Sequence, residues 1–296
     1  MAPYSRILVP LALGPLDREL VNYAAMICRW QSGGRVDLVH VSPKPWREMN
    51  RIWKEMESED RGQFEDGYKS VELRYHVLEG DLTDRLLEVA VDERSDLILL
   101  GHQLGHGGQR ALARRLAMAA PCSVWMVPEG NSASLNRVIA PVDFSQQSAD
   151  ALDEAIGLAF LSGLRELTAL HVYFDRTTVT YEEWPKVREE REQDAFKRFL
   201  AGINTRGVTV KSRCLEAPSV AHAIRELCEE EHADLVVMST RGRSRAASVL
   251  LGSETEQVII ESKIPVLAVK HFGARKTFLE VLLDKKFRQR EESRFG

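Results

Sequence analysis

The chain repeats itself, and that repeat limits what it can fold into more than any other feature. "SRILVPLALGPLDRELVNYAAMI" near the start matches "NRVIAPVDFSQQSADALDEAIGL" from Asn136, with Pro10 falling on Pro141, an offset of 131. The offset holds at the next strand, where His40-Val41 falls on His171-Val172. Further on, "EGDLTDRLLEVAVDERSDLILLG" matches "EAPSVAHAIRELCEEEHADLVVMS", placing Gly101 on Ser239, and "APCSVWMV" matches "KIPVLAV". The 296 residues are therefore a tandem duplication. Two domains of about 140 residues each bury enough apolar surface to be stable without staples. "PEGNSASLN", residues 128 to 136, has the Pro, Gly, Ser and Asn content of an exposed linker.

Within each copy, short Val/Ile/Leu-rich runs alternate with longer amphipathic stretches. In the second copy the pattern predicts strands at 137–142, 166–173, 208–215, 234–238 and 265–270. Helical spacing appears between them in "SADALDEAIGLAFLSG", "EEWPKVREEREQDAFKRFLAGI", "SVAHAIRELCEEEH" and "LLGSETEQVIIES". Apolar strands alternating with helices indicate a parallel sheet covered on both faces, so the fold class is α/β: two doubly wound, five-stranded parallel-sheet domains in tandem. The domains are expected at 1–130 and 136–272, followed by a C-terminal amphipathic tail at 273–296.

Composition narrows the function. Cys28, Cys122, Cys214 and Cys228 are scattered without C-x-x-C or paired histidines, which indicates neither zinc nor disulfides and fits a reducing cytoplasm. No apolar run approaches eighteen residues and the start lacks a leader pattern, so neither a membrane span nor export is expected. A net charge of −4 with interspersed signs gives no general attraction to nucleic acid. No G-x-S-x-G elbow, H-E-x-x-H or nucleophile–base pair is present, so the expectation is no enzyme.

Ligands of doubly wound sheets gather beyond the carboxyl ends of the strands, where connections diverge. With strand order 3-2-1-4-5, that crevice lies between strands one and four. In the second copy strand one ends in "APVDFS", bringing Asp143 there, and strand four ends in "LVVMS", leading into "TRGRSRAASVLLGS". The loop is neither the dinucleotide fingerprint nor a Walker A sequence. Gly252 allows close backbone approach, and free N–H groups at the helix start together with the Ser253 hydroxyl suit phosphate. Ser145 and Ser148 read as helix caps with Asp150 in the first turn, while His40 and His171 read as structural.

These residues resemble the universal stress protein family, whose nucleotide-binding members carry G-x2-G-x9-G-(S/T) after the fourth strand. The equivalent is Ser239-x2-Gly242-x9-Gly252-Ser253, with serine in place of the first glycine, and the likeness extends through "PVDFS", "LHV" and "LLGSETEQVI" over residues 5–128 and 137–271. The resemblance implies a universal stress protein-like, HUP-type tandem that binds ATP in its second domain and regulates a stress response through nucleotide-dependent contacts with an unidentified protein partner. It implies a nucleotide site of Pro141, Val142, Asp143, Val172, Met238, Ser239, Thr240, Gly242, Gly252, Ser253, Glu254 and Thr255. Asp143 and the Val172 backbone would take the adenosine end. Gly242, Gly252, Ser253 and neighbouring backbone would take the phosphates, which would hold Mg2+ or Mn2+. Ala217, standing where the first copy has Gly80, would narrow the pocket. The alternatives are a nucleotide-free dimeric scaffold with both sites degenerate, and a slow ATPase.

The first copy departs from this pattern. Pro121 stands 20 positions after Gly101, whereas Pro265 stands 26 after Ser239, so six residues are missing. "VPLALGP" replaces "APVDFS", no Gly-Ser pair opens the next helix, and Asp17 lies too far along to stand in for the lost aspartate. The first domain is expected not to bind nucleotide, with His102 and His106 as solvated loop residues. The last strands, "CSVWMV" and "PVLAV", would form sheet edges, which are normally paired or covered. Family members commonly pair this strand in a dimer, so the two domains are expected to pair within one chain, leaving a further homodimer open. The tail carries Phe278, Leu279, Leu282 and Leu283 on one side of a short helix, suited to docking on its own domain or to a partner.

Overall fold

The computed structural model describes residues 4–30, 33–42, 71–102, 107–173, 184–241 and 251–270. The expected tail lies outside them, as do Gly242 and His106. In the first half, strands β1 (Arg6–Pro10), β2 (Gly34–Ser42), β3 (Val71–Glu79), β4 (Leu97–His102) and β5 (Ser123–Pro128) alternate with helices α1 (Pro15–Trp30), α2 (Leu82–Asp92) and α3 (Gly107–Ala119). The second half has β6 (Val138–Pro141), β7 (Glu166–Tyr173), β8 (Thr209–Glu216), β9 (Leu235–Ser239) and β10 (Val266–Val269), with α4 (Gln146–Ser162), α5 (Trp184–Ala201), α6 (Val220–Glu231) and α7 (Ser253–Glu261). Strand limits match the apolar runs to within one residue.

All ten strands form one sheet in the order β3-β2-β1-β4-β5-β10-β9-β6-β7-β8. Each half has the 3-2-1-4-5 order, parallel throughout. The halves meet at β5 and β10, which pair antiparallel with Leu267 opposite Trp125. Thus the two edge strands close on each other within the chain. Each face then carries a core that runs through both halves. One includes Ile7, Val9, Trp125, Val138, Val237 and Leu267; the other includes Leu8, Ile98, Leu100, Val236, Met238 and Val266.

The duplication is visible in single bonds. Asp96 accepts from the backbone N–H groups of Ser5 and Arg6, at 3.0 and 2.9 Å. Asp234 repeats this with Asn136 and Arg137, at 2.7 and 3.0 Å. Each aspartate thus ties the start of strand four to the start of strand one. The linker is more than an exposed connection. Leu135 is buried, the Tyr23 hydroxyl donates to Ser132 O at 2.9 Å, and Asn131 donates to Lys263 O at 2.9 Å.

The seam carries further contacts. Lys270 donates through Nζ to the carbonyls of Ala117 and Met118, at 3.2 and 2.5 Å, so a lysine of the second half caps α3 of the first. A cation at a helix C-terminus satisfies orphan carbonyls and complements the dipole. Burial lowers its pKa to about 8, with Arg241 adding like-charge repulsion. Arg114 of α3 and Glu256 of α7 form an ion pair at 2.8 Å.

Candidate functional site

The chain turns sharply after β1 and β6, and the same backbone conformation serves both turns. Leu13 and Phe144, one repeat apart, have φ of 59° and 63°, a region that non-glycine residues adopt at some cost and that clusters at functional sites. In the second half the turn is braced by rings. Phe144 stacks on His171 with centroids 4.1 Å apart and packs on Phe196 and Phe199. His171 Nδ1–H donates to Val142 O at 2.8 Å, and its Nε2 lies 3.4 Å from Glu192. His171 is thereby structural, as its place in the repeat suggests.

Ser145 caps α4 by accepting from Ser148 N at 3.2 Å. Asp143 Oδ1 accepts from Ser145 N and Oγ, at 3.0 and 2.5 Å, which holds the carboxylate at the strand end. The Ser148 hydroxyl accepts from Asp143 N and donates to Ser145 O. Asp150 falls just beyond the first turn, where it accepts from Gln146.

A cavity of about 270 Å³ opens at the carboxyl ends of β6, β7 and β9. Of the residues expected at the site, Pro141, Val142, Asp143, Val172, Met238, Ser239, Gly252, Ser253, Glu254 and Thr255 line it. Thr240 is buried but sits behind the lining, donating through N to Val269 O while its carbonyl accepts from Gly252 N, both at 3.0 Å. Gly242 lies outside the described residues. Ser148, Leu170, Val220 and Arg241 also line the cavity. Their signals in the sequence were a helix cap, an apolar strand residue, a helix start and one of three loop arginines, none of which alone marks a ligand. Ala217 is absent from this lining, so it does not narrow the space.

The opening of α7 defines one wall. Gly252 is its N-cap at φ −64° and ψ 139°, and among the described residues no side-chain cap bond is made to the first turn. That conformation is open to any residue, so what distinguishes glycine here is the missing side chain. Uncapped N–H groups and the positive end of the helix dipole suit an anion. Thr255 Oγ1 donates to Ser239 O at 3.0 Å, fastening this turn to β9. The Ser239 hydroxyl donates to Arg241 O, so serine in place of glycine closes the local turn rather than reaching into the cavity. Glu254 lines the cavity, and its Oε2 is buried without a hydrogen-bond partner among the described residues.

The corresponding place in the first half is organised differently. Ala12 takes the position of Asp143, and Asp17 turns back to accept from Ala12 N and Gly14 N, each at 3.1 Å. Its carboxylate is occupied by the turn itself. Leu16 and Leu20 cover Gly101, where a Cβ would lie 2.5 Å from Leu16 Cδ2. His102 corrects the expectation of a solvated loop residue. It is the last residue of β4 and only 1% exposed, because strand alternation turns it inward.

A second cavity, about 340 Å³, lies between α6 and α7 and is lined by Ala221, Ile224, Cys228, Val258 and Ile264 among others. It lies away from the strand ends that hold the converging polar groups, so the crevice is the better candidate. Among the described residues there is no cluster of three or more His, Cys, Asp or Glu fit to hold a metal unaided, and no helix long and apolar enough to cross a membrane.

Comparison with known proteins accords with this architecture. Residues 3–128 and 134–270 each match the universal stress protein family. The universal stress protein MJ0531 of Methanocaldococcus jannaschii is 31% identical over 140 residues, covering 45% of this chain and 81% of that protein. The universal stress protein Rv2623 of Mycobacterium tuberculosis is 29% identical over 157 residues, covering 51% of this chain and 52% of the relative. Among solved structures, protein PA1789 of Pseudomonas aeruginosa superposes with a TM-score of 0.69 at 19% identity, covering 96% of this chain and 98% of that one. A universal stress protein from Archaeoglobus fulgidus gives 0.63 at 18% identity, covering 90% and 97%. At these identities the structures establish the shared fold.

Proposed function

Because the chain belongs to the universal stress protein family, as two successive matches to it show, we propose that it is an ATP-binding regulatory protein that takes nucleotide in its second domain and acts through contacts that change with occupancy. The observation that carries this reading is the cavity at the ends of β6, β7 and β9, where Asp143, Val172, Gly252 and Ser253 converge. Asp143 and the Val172 backbone receive the adenosine end. The start of α7 receives the phosphates through backbone N–H groups and the Ser253 hydroxyl.

The residues also fit a divalent cation carried in with the nucleotide. Glu254 places on the cavity wall a buried carboxylate oxygen that has no hydrogen-bond partner among the described residues. Hard oxygen donors of this kind suit Mg2+ or Mn2+. When bound, the cation neutralises phosphate charge that Glu254 would otherwise repel. Glu254 would be the side chain to hold it, with the phosphates supplying most of its ligands.

The test is to denature the purified protein, identify any released nucleotide by chromatography, and repeat the measurement with Gly252→Val. Valine suits the backbone angles at Gly252, so the variant keeps its fold while its side chain blocks the helix start. About one ATP per chain, lost in the variant, is the expected result. A chain that is empty as purified and does not bind ATP with magnesium would instead be a scaffold.

A further inference from the structure

His102 is 1% exposed, yet neither of its ring nitrogens has a hydrogen-bond partner among the described residues. Leaving a buried donor or acceptor unpaired costs about 1–3 kcal/mol per group, so such sites usually await a ligand or water. The orientation of the ring follows from strand alternation. A Cβ on Gly101 would point at Leu16 and Leu20 of α1, so Leu100 and His102 face the opposite side of the sheet. There Leu100 shares a core with Leu112, Ala113 and Leu116 of α3. His102 therefore lies beneath the amino-terminal part of that helix.

A second unpaired donor stands close by. Arg110, in the first turns of α3, has a buried Nε without a partner among the described residues, and its charge disfavours the imidazolium of His102, whose pKa is lowered first by burial and then by Arg110. Two buried polar groups without partners among the described residues thus lie near each other. Aligning Pro121 on Pro265 places Arg110 on Glu254, and on the strand side of the six-residue gap, where Gly101 aligns on Ser239, His102 falls on Thr240. The repeat has exchanged a carboxylate for a guanidinium at the matching point of the crevice.

We infer that the first domain binds a small free oxyanion of the phosphate or sulfate class between His102, Arg110 and the amino end of α3. The anion accepts from an imidazole N–H and from the guanidinium, and α3, a thirteen-residue helix, adds the positive end of its dipole. The span from Gly101 to Pro121, six residues shorter than that from Ser239 to Pro265, suits a single tetrahedral ion rather than a nucleotide. This inference is independent of ATP binding in the second domain.

The experiment uses the full chain, with potassium phosphate as the probe, potassium chloride at matched ionic strength as the control and ATP as a separate arm. The readout is the imidazole nitrogen resonances of His102, assigned by their loss in His102→Asn. A saturable shift with phosphate is expected, weakened about tenfold or more in Arg110→Met and partly retained in Arg110→Lys. Circular dichroism confirms that each variant is folded. The inference is overturned if phosphate leaves His102 unmoved, if Arg110→Met responds like the parent, or if ATP shifts His102 and phosphate does not.

Discussion

His171 donates through Nδ1 to the carbonyl of Val142 at 2.8 Å, and His40, one repeat earlier, donates in the same way to the carbonyl of Leu11 at 2.9 Å. In both halves strand two thus holds the end of strand one, immediately before the turn that shapes the crevice. Only the second copy places an aspartate and a stacked phenylalanine after it.

Replacing either histidine with alanine leaves a strand-end carbonyl without its donor and should cost about 1–3 kcal/mol of stability. His171→Ala should in addition weaken ATP binding, because it loosens Val142, Phe144 and the adjoining Asp143. His40→Ala should leave ATP affinity unchanged. Urea unfolding and calorimetric titration on the two variants separate the shared structural role from the local one. Equal loss of ATP affinity in both would refute the distinction.

Asp234 accepts from Asn136 N, Asn136 Nδ2, Arg137 N and, at 3.3 Å, Ser134 Oγ. Asp234→Ala should destabilise the chain by about 2–3 kcal/mol, since charge-assisted hydrogen bonds are lost together. By contrast, the Arg114–Glu256 pair has an arginine side chain 52% exposed, and Arg114→Ala should cost less than about 1 kcal/mol. Denaturant midpoints of the two variants should therefore differ widely. Similar losses would mean that the seam relies on this ion pair.

Lys270 makes stability depend on pH in a definite direction. Its pKa is about 8 in the folded protein against an ordinary value of 10.5. Below pH 8 it is charged in both states and its burial costs stability. Between the two values the unfolded chain binds more protons, so this residue's contribution raises stability as pH rises, and above 10.5 the dependence ends. Tyrosine and cysteine residues titrate in the same range, so the comparison is with Lys270→Met, whose curve should lack this rise. A parent curve parallel to that of the variant would refute the assignment.

Cys28, Cys122 and Cys228 are buried while Cys214 is half-buried. Burial raises the thiol pKa of all four, to about 12 for Cys28 and Cys228. Thiol reagents act on accessible thiolates, so native protein should react first and mainly at Cys214, with the others following on unfolding. Mass mapping after brief alkylation checks the order.

Much of the candidate site was readable before folding because it lies where local pattern and topology meet. Asp143 follows the apolar run of β6, and Gly252-Ser253 opens a helix after β9, so sheet order alone brings them together. Ser148 and Val220 were less legible as cavity residues, because a helix cap and a helix's first residue look the same whether or not a cavity lies beside them. Thr240, expected at the site from its place beside Ser239, stands behind the cavity lining with its backbone bonded to Val269 and Gly252.

The sequence by itself determined the duplication, the alternation of strand and helix and the asymmetry of the two loops. These follow from periodicity and spacing, which are local and add up along the chain. Only the tertiary structure decided that β5 and β10 close into one sheet, since an apolar edge strand is equally suited to pairing within a chain or between chains. It also decided that Leu16 covers Gly101, that Asp17 folds back on its own turn and that His102 is buried beneath α3. Each of these depends on which distant side chains reach the same space, and packing at that range leaves no periodic trace in the sequence.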